Sequence, residues 1–222
     1  MQVYRINNKT VLFVHIPKCA GTSIESMLRA HPDCQGHAMY EMGRDNLMIV
    51  VGNCSPQYYH AEILMQTINL SNIDICFSIV RDPVQRLLSE HSMQIVKFPG
   101  TTTNFSQWYV EMQEKRVLNP FCFDNHLRPS KEFLLQDAFL YDLHIGMDKI
   151  WRDICTRVDI DPSLSAIQHI RPCDGPLQDS IQINESTLNL IAQHYSDDCA
   201  IHATLQQHWK QGFQWQDLQS ML

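Results

Sequence analysis

No apolar run in the 222 residues approaches the roughly 20 needed to cross a bilayer as a helix. The first ten residues, Met1 to Thr10, do not read as a signal peptide, because the apolar segment after them is short and becomes a strand. The chain is therefore expected to act in the cytoplasm without stable membrane insertion. Charged residues are only 18% against 44% hydrophobic, which excludes a disordered chain and suits one domain spanning residues 1–222. There is no excess of positive charge either. The net charge of -7 speaks against a nonspecific nucleic-acid binder, although Lys18, Arg81, Arg86 and Arg128 can form a local basic site. The eight cysteines include no CxxC pair, so no zinc ribbon or thioredoxin-like motif is indicated, and reduced thiols are expected. HExxH and EF-hand patterns are missing too, and no metal site is expected. No internal repeat or linker divides the chain.

What is present is concentrated in Val11-Leu-Phe-Val-His-Ile-Pro-Lys-Cys-Ala-Gly-Thr-Ser-Ile24. Val11–Ile16 is an apolar, β-branched run and predicts a buried strand, which Pro17 ends because it cannot donate to a ladder. Lys18, Cys19, Ala20 and Gly21 form a loop of mostly small residues. Thr22 or Ser23 then caps a helix from Ser23 to about Ala30, with Ile24, Met27 and Leu28 on its apolar side. A strand, a small-residue loop and a helix N-terminus together make an anion cradle, because the first-turn amides lack intrahelical acceptors. Lys18 and the hydroxyls of Thr22 and Ser23 complete it. The nucleotide-triphosphatase loop, GxxxxGKS/T, is not matched: lysine stands four places before Thr22 and the first glycine is missing.

Farther along, Leu47–Val51 reads as a second strand, residues 59–68 as a helix and Ile75–Val80 as a third strand. Arg81-Asp82-Pro83 follows, with Asp82 placed to cap and Pro83 to start the next helix. Helices are expected at 105–117, 150–158, 185–195 and 197–209, and a short strand at 140–145. The alternation predicts an α/β fold with a P-loop-like, mostly parallel central sheet flanked by helices, and a mainly helical C-terminal half. Arg81, at the carboxyl end of a strand, and Ser89, two turns into the next helix, together suit a terminal phosphate.

The run His15-Ile-Pro-Lys-Cys-Ala-Gly-Thr-Ser23 resembles the HIPKTGGTS loop of carbohydrate sulfotransferases related to heparan sulfate 2-O-sulfotransferase, including bacterial members. The run Arg81-Asp-Pro-Val-Gln-Arg-Leu-Leu-Ser89 resembles the same family's RDPxxRxxS motif. Asn125-His-Leu-Arg-Pro129 is similar to its HxRPQ segment, with Ser130 in place of glutamine, and Tyr195-Ser-Asp-Asp198 to its Tyr-x-x-Asp. The resemblance implies transfer of a sulfuryl group from 3′-phosphoadenosine 5′-phosphosulfate (PAPS) to an acceptor hydroxyl of a saccharide, with no metal. It implies that Lys18, Cys19, Ala20, Gly21, Thr22 and Ser23 hold the 5′-phosphosulfate, and that Arg81 and Ser89 hold the 3′-phosphate. Arg86 is expected to pair with carboxylates within the fold. Cys19, a thiol at a helix start, is expected to have a lowered pKa. A histidine suits the base, and His60 takes that role, with Lys18 as its catalytic partner; His60-Ala61 resembles the start of the His-Ala-Thr-Ala segment of bacterial relatives. His37 is the second choice and His126 the third. Two alternatives stay open: a phosphotransferase or nucleotide hydrolase on the same loop, and a nucleotide-binding protein without activity.

Overall fold

The structure, a computed structural model, describes residues 2–38, 54–165, 181–208 and 213–221. The strand expected at Leu47–Val51 lies outside them. The described chain is an α/β fold built on a mixed six-stranded sheet. β1 (Gln2–Ile6) and β2 (Lys9–Val14) form an antiparallel hairpin. Its two-residue turn, Asn7-Asn8, has positive φ at both positions, the conformation a twisted hairpin requires and asparagine tolerates. β3 (Cys34–Ala38) pairs antiparallel with β1 at one edge. β4 (Ile75–Val80) and β5 (Phe139–Asp142) run parallel to β2 and form the middle of the sheet. β6 (Phe213–Gln214) closes the far edge antiparallel to β5. The expected mostly parallel sheet is thus corrected. Only the β2–β4–β5 centre is parallel, where the continuous apolar runs sit, and the more polar edge strands pair antiparallel.

The first helix, α1 (Gly21–Ala30), buries Ile24, Met27 and Leu28 completely, worth about 1.5–3 kcal/mol each. It starts two residues before the expected point, and neither Thr22 nor Ser23 caps it. Ala20 holds that position in the left-handed conformation, φ 60°, with no side-chain cap. α2 (Ala61–Thr67) has His60 at its N-cap position without a side-chain capping bond, and α3 (Pro83–Lys97) starts at Pro83 with Asp82 accepting from the Gln85 amide. α4 (Phe105–Leu118), α5 (Met147–Val158), α6 (Glu185–His194), α7 (Ser196–His208) and α8 (Trp215–Gln219) make the second half mainly helical. The strand expected at 140–145 stops at Asp142. There the carboxylate accepts from the His144 amide and turns residues 143–145 into a 3-10 turn. One apolar core packs the sheet; a second, around Leu87, Phe105, Trp108, Tyr109 and Ile191, joins α3, α4 and α6.

Candidate functional site

Beyond β2, His15 and Ile16 run on to Pro17, and the loop to α1 turns sharply. Lys18 and Ala20 both adopt left-handed backbone, φ 66° and 60°, the kind of turn that aims successive amides into a concavity. The Ser23 and Ile24 amides donate back to the Ala20 carbonyl, so the Gly21 and Thr22 amides are the first-turn donors without an intrahelical acceptor. Gly21 is required by a close approach: a Cβ there would overlap the His15 ring. On the adjoining strand, Arg81 follows β4 directly, and its guanidinium donates to the Lys18 carbonyl at 3.5 Å. Ser89 lies on the face of α3 turned the same way.

These residues converge on one cavity of about 400 Å³, lined by Lys18, Ala20, Gly21, Thr22, Ser23, Arg81 and Ser89, with His15, Tyr58, Met93 and His126 completing the wall beside Leu143, Gly146 and Met147. The size falls in the range of small-molecule sites. A second cavity, about 380 Å³, shares Arg81 and Leu143 with it and is otherwise lined by polar residues including Asp82, Asp142 and His202. The first cavity's donor set, with helix-start residues, a lysine, an arginine and hydroxyls, suits an anionic ligand. Among the described residues no group of three or more histidine, cysteine or carboxylate side chains is arranged to hold a metal.

Two expected members of the site do not line this cavity. Cys19 turns inward, 1% exposed, with its thiol toward the Pro17 carbonyl at 3.6 Å. Burial pushes that thiol up to about 12, against the charges of Arg86 and Arg81, so the expected lowered pKa is corrected. His60 is buried as well. Its ring lies 5.9 Å from Phe121, its Nδ1 is 3.5 Å from the Asn125 amide nitrogen and its Nε2 is 3.8 Å from Glu62. Burial lowers its pKa, and the neighbouring Arg128 adds to that. His37 sits in β3, paired with Val3 of β1, and so stands two strands away from β2. Arg86 is fully buried but has no carboxylate partner among the described residues. It donates to the Arg128 carbonyl at 2.6 Å and lies 5.8 Å from the Tyr195 ring.

In their place the cavity wall carries two histidine–glutamate pairs that sequence reasoning missed. His15 Nδ1 lies 2.6 Å from Glu25 of α1, and His126 Nδ1 lies 2.7 Å from Glu90 of α3. The Tyr58 ring stands edge-on to both imidazoles, 5.1 Å from His15 and 4.7 Å from His126. Burial would raise the Glu90 carboxyl. Hydrogen bonds from His126 and Gln94 and the charge of Lys18 outweigh it and hold the carboxyl below the usual range. The sequence offers His126 on its own, as third choice for the base, and Glu90 only by its position next to Ser89; it does not show the pairing of the two.

The segment from Asp124 to Lys131 is fixed from two sides. Phe123, Asp124 and Asn125 all have positive φ, 50°, 58° and 65°. The Asp124 carboxylate accepts from the Ser55 hydroxyl at 2.7 Å, and the Asn125 amide donates to the Tyr58 carbonyl at 2.9 Å. From the other side, the Tyr195 hydroxyl donates to the Leu127 carbonyl at 2.8 Å. Asp198 accepts from the Ser130 and Lys131 amides at 2.7 and 3.0 Å. The Tyr-x-x-Asp pattern therefore clamps the segment that carries His126.

The family model described as "Sulfotransferase family" matches residues 2–154, more than half of the chain. No curated protein and no solved structure matches it significantly.

Proposed function

Because the chain belongs to the sulfotransferase family, we propose that it moves a sulfuryl group from PAPS to a hydroxyl of a saccharide. The reading is supported most by one observation: Lys18, the start of α1, Arg81 and Ser89 line a single cavity. In this reading the loop from Lys18 to Ser23, P-loop-like in its strand–loop–helix form, holds the 5′ end through the α1 amides and the Thr22 and Ser23 hydroxyls. Cys19 contributes its backbone alone, since its thiol faces the core. Arg81 and Ser89 hold the 3′-phosphate by charge-assisted bonds. PAPS supplies an activated sulfuryl group with a good leaving phosphate. Lys18 places positive charge where that phosphate gains negative charge, an interaction that grows toward the transition state. The cytoplasm remains the proposed compartment; among the described residues no helix is long and apolar enough to cross a membrane.

The test is a screen of saccharides with radiolabelled PAPS. Label in a saccharide together with equimolar 3′,5′-adenosine bisphosphate is the expected result. Hydrolysis of nucleoside triphosphates in place of label transfer speaks for the phosphotransferase or hydrolase alternative.

A further inference from the structure

The second cavity shares Arg81 with the first, and α7 supplies His202 and Gln206 to its wall. Both stand beyond residue 154, where the stretch matched by the family model ends. His202 sits between two carboxylates. Its Nδ1 bonds Asp142 at the end of β5, and its Nε2 lies 3.9 Å from Asp82, the residue that follows Arg81 and caps α3. Gln206, one turn on along α7, meets the same Nε2 at 3.0 Å. Among the described residues His202 is the only basic side chain within ion-pair distance of Asp82 or Asp142. His15 and His126, in the wall of the first cavity, each face a single glutamate; His202 faces two carboxylates, one of them adjoining Arg81.

We infer that His202 is a proton-linked positioning residue for the donor: its imidazolium neutralises the acid pair beside Arg81, and donor binding holds that proton in place. The charged and titratable groups packed around it are Asp142 and His144 from the end of β5, Arg81 and Asp82 from the junction of β4 and α3, and Cys199 one turn earlier on α7. With His202 protonated, the two cations His202 and Arg81 match the two carboxylates Asp82 and Asp142. With His202 neutral, the same four side chains carry one net negative charge, set beside the guanidinium proposed to take the 3′-phosphate. A phosphate brought to Arg81 then meets a repulsion that the protonated state lacks. The bond from Asp142 raises the pKa of His202 against the effect of burial, so the change of state falls above the ordinary value of ~6.5. By reciprocity, a ligand that binds the protonated form better draws a proton onto His202, and its affinity falls as pH rises through the folded-state pKa. The proton comes from solvent and returns to it when the nucleotide leaves.

The inference rests on the reading of Arg81 as the 3′-phosphate ligand, and the test separates the two. Binding of 3′,5′-adenosine bisphosphate is measured by calorimetry in paired buffers of different ionisation enthalpy, from mildly acidic to mildly alkaline pH. The difference in heat between buffers counts the protons taken up. Wild type is expected to take up a fraction of a proton, and its affinity to fall about two- to fivefold further across that range than the affinity of His202→Gln. The titration of the ligand's own phosphates is common to both proteins and cancels in the comparison. Asp82→Asn keeps a capping side chain and removes one negative charge; it is expected to bind the bisphosphate more tightly than wild type at alkaline pH. Adenosine 5′-phosphate should show much smaller differences, and differences of the same size overturn the inference, because a 3′-phosphate would then not be what senses His202. If His202→Gln matches wild type in proton uptake and pH profile, or Asp82→Asn binds no more tightly at alkaline pH, His202 is a structural contact only and the sulfuryl-transfer reading survives. If wild type binds no bisphosphate at any pH, the sulfuryl-transfer reading itself falls and the role of His202 with it.

Discussion

Gly21→Ala is the most informative single substitution, because the structure says where the added atom goes. A Cβ at position 21 overlaps the His15 ring, which Glu25 holds at 2.6 Å in a fully buried environment. Either the ring moves and Glu25 loses its partner, or the start of α1 shifts and the loop amides with it. Overpacking of this kind costs typically 1–3 kcal/mol, and a buried group left without its hydrogen bond costs a further ~1–3 kcal/mol. The expected total is therefore about 2–6 kcal/mol of stability, read as the shift of the urea midpoint at constant slope. Affinity for 3′,5′-adenosine bisphosphate should fall in parallel, since Gly21 and its neighbours line the cavity. A double-mutant cycle isolates the cause. His15→Ala removes the obstacle, so adding Gly21→Ala in that background should cost at least about 1 kcal/mol less than in wild type. Additive losses, or a Gly21→Ala protein within ~0.5 kcal/mol of wild type, would refute the reasoning, because the ring would then not be what demands glycine.

Other outcomes follow from the same contacts. Arg81→Ala should weaken binding of 3′,5′-adenosine bisphosphate by about 1.5–3 kcal/mol and of adenosine 5′-phosphate much less; equal losses for both count against a 3′-phosphate role. Lys18→Ala should cut kcat more than affinity, as steady-state kinetics beside calorimetry will show. The bond from Asp142 raises the pKa of His202 against the effect of burial, with Asp82 adding to it. A raised folded-state pKa means that this contribution is complete below the unfolded value of ~6.5 and is lost as pH rises through the folded value. The stability gap between wild type and His202→Gln should therefore be widest in mild acid and narrow toward alkaline pH, and a gap that does not vary with pH rejects the pairing. Cys19, buried and with its thiol pushed up to about 12, should resist iodoacetamide at neutral pH until the protein unfolds; peptide mapping of the labelled protein decides it.

The strands at the centre of the sheet were legible because both of their faces are covered. Ile75–Val80 is apolar but for the buried Ser78 and forms β4 with those bounds. The Asp82–Pro83 start of α3 was legible too, since capping is local chemistry. β1 was not, because only every second side chain is fully buried and its strand signal is diluted by Gln2 and Arg5. The Asn7-Asn8 turn, with positive φ at both residues, was the local clue to the hairpin. The site divides in the same way. Lys18 and Arg81 follow predicted strands and Ser89 lies two turns into the next helix, so their placement followed from the elements. The histidine–glutamate pairs did not follow: His126 meets a carboxylate 36 residues away in α3 and sits on a loop clamped by α7. Neither is visible from spacing. His60 stands at the start of a helix as expected, but its ring packs toward Phe121 and Asn125.

The central claim is that the cavity at the start of α1 serves a 3′-phosphorylated sulfuryl donor. The most direct measurement compares PAPS and ATP turnover by the same preparation, with magnesium present and with it chelated. The account predicts acceptor-dependent release of 3′,5′-adenosine bisphosphate from PAPS at the same rate in both conditions, with no ATP hydrolysis. Magnesium-dependent ATP hydrolysis without any response to PAPS would contradict it.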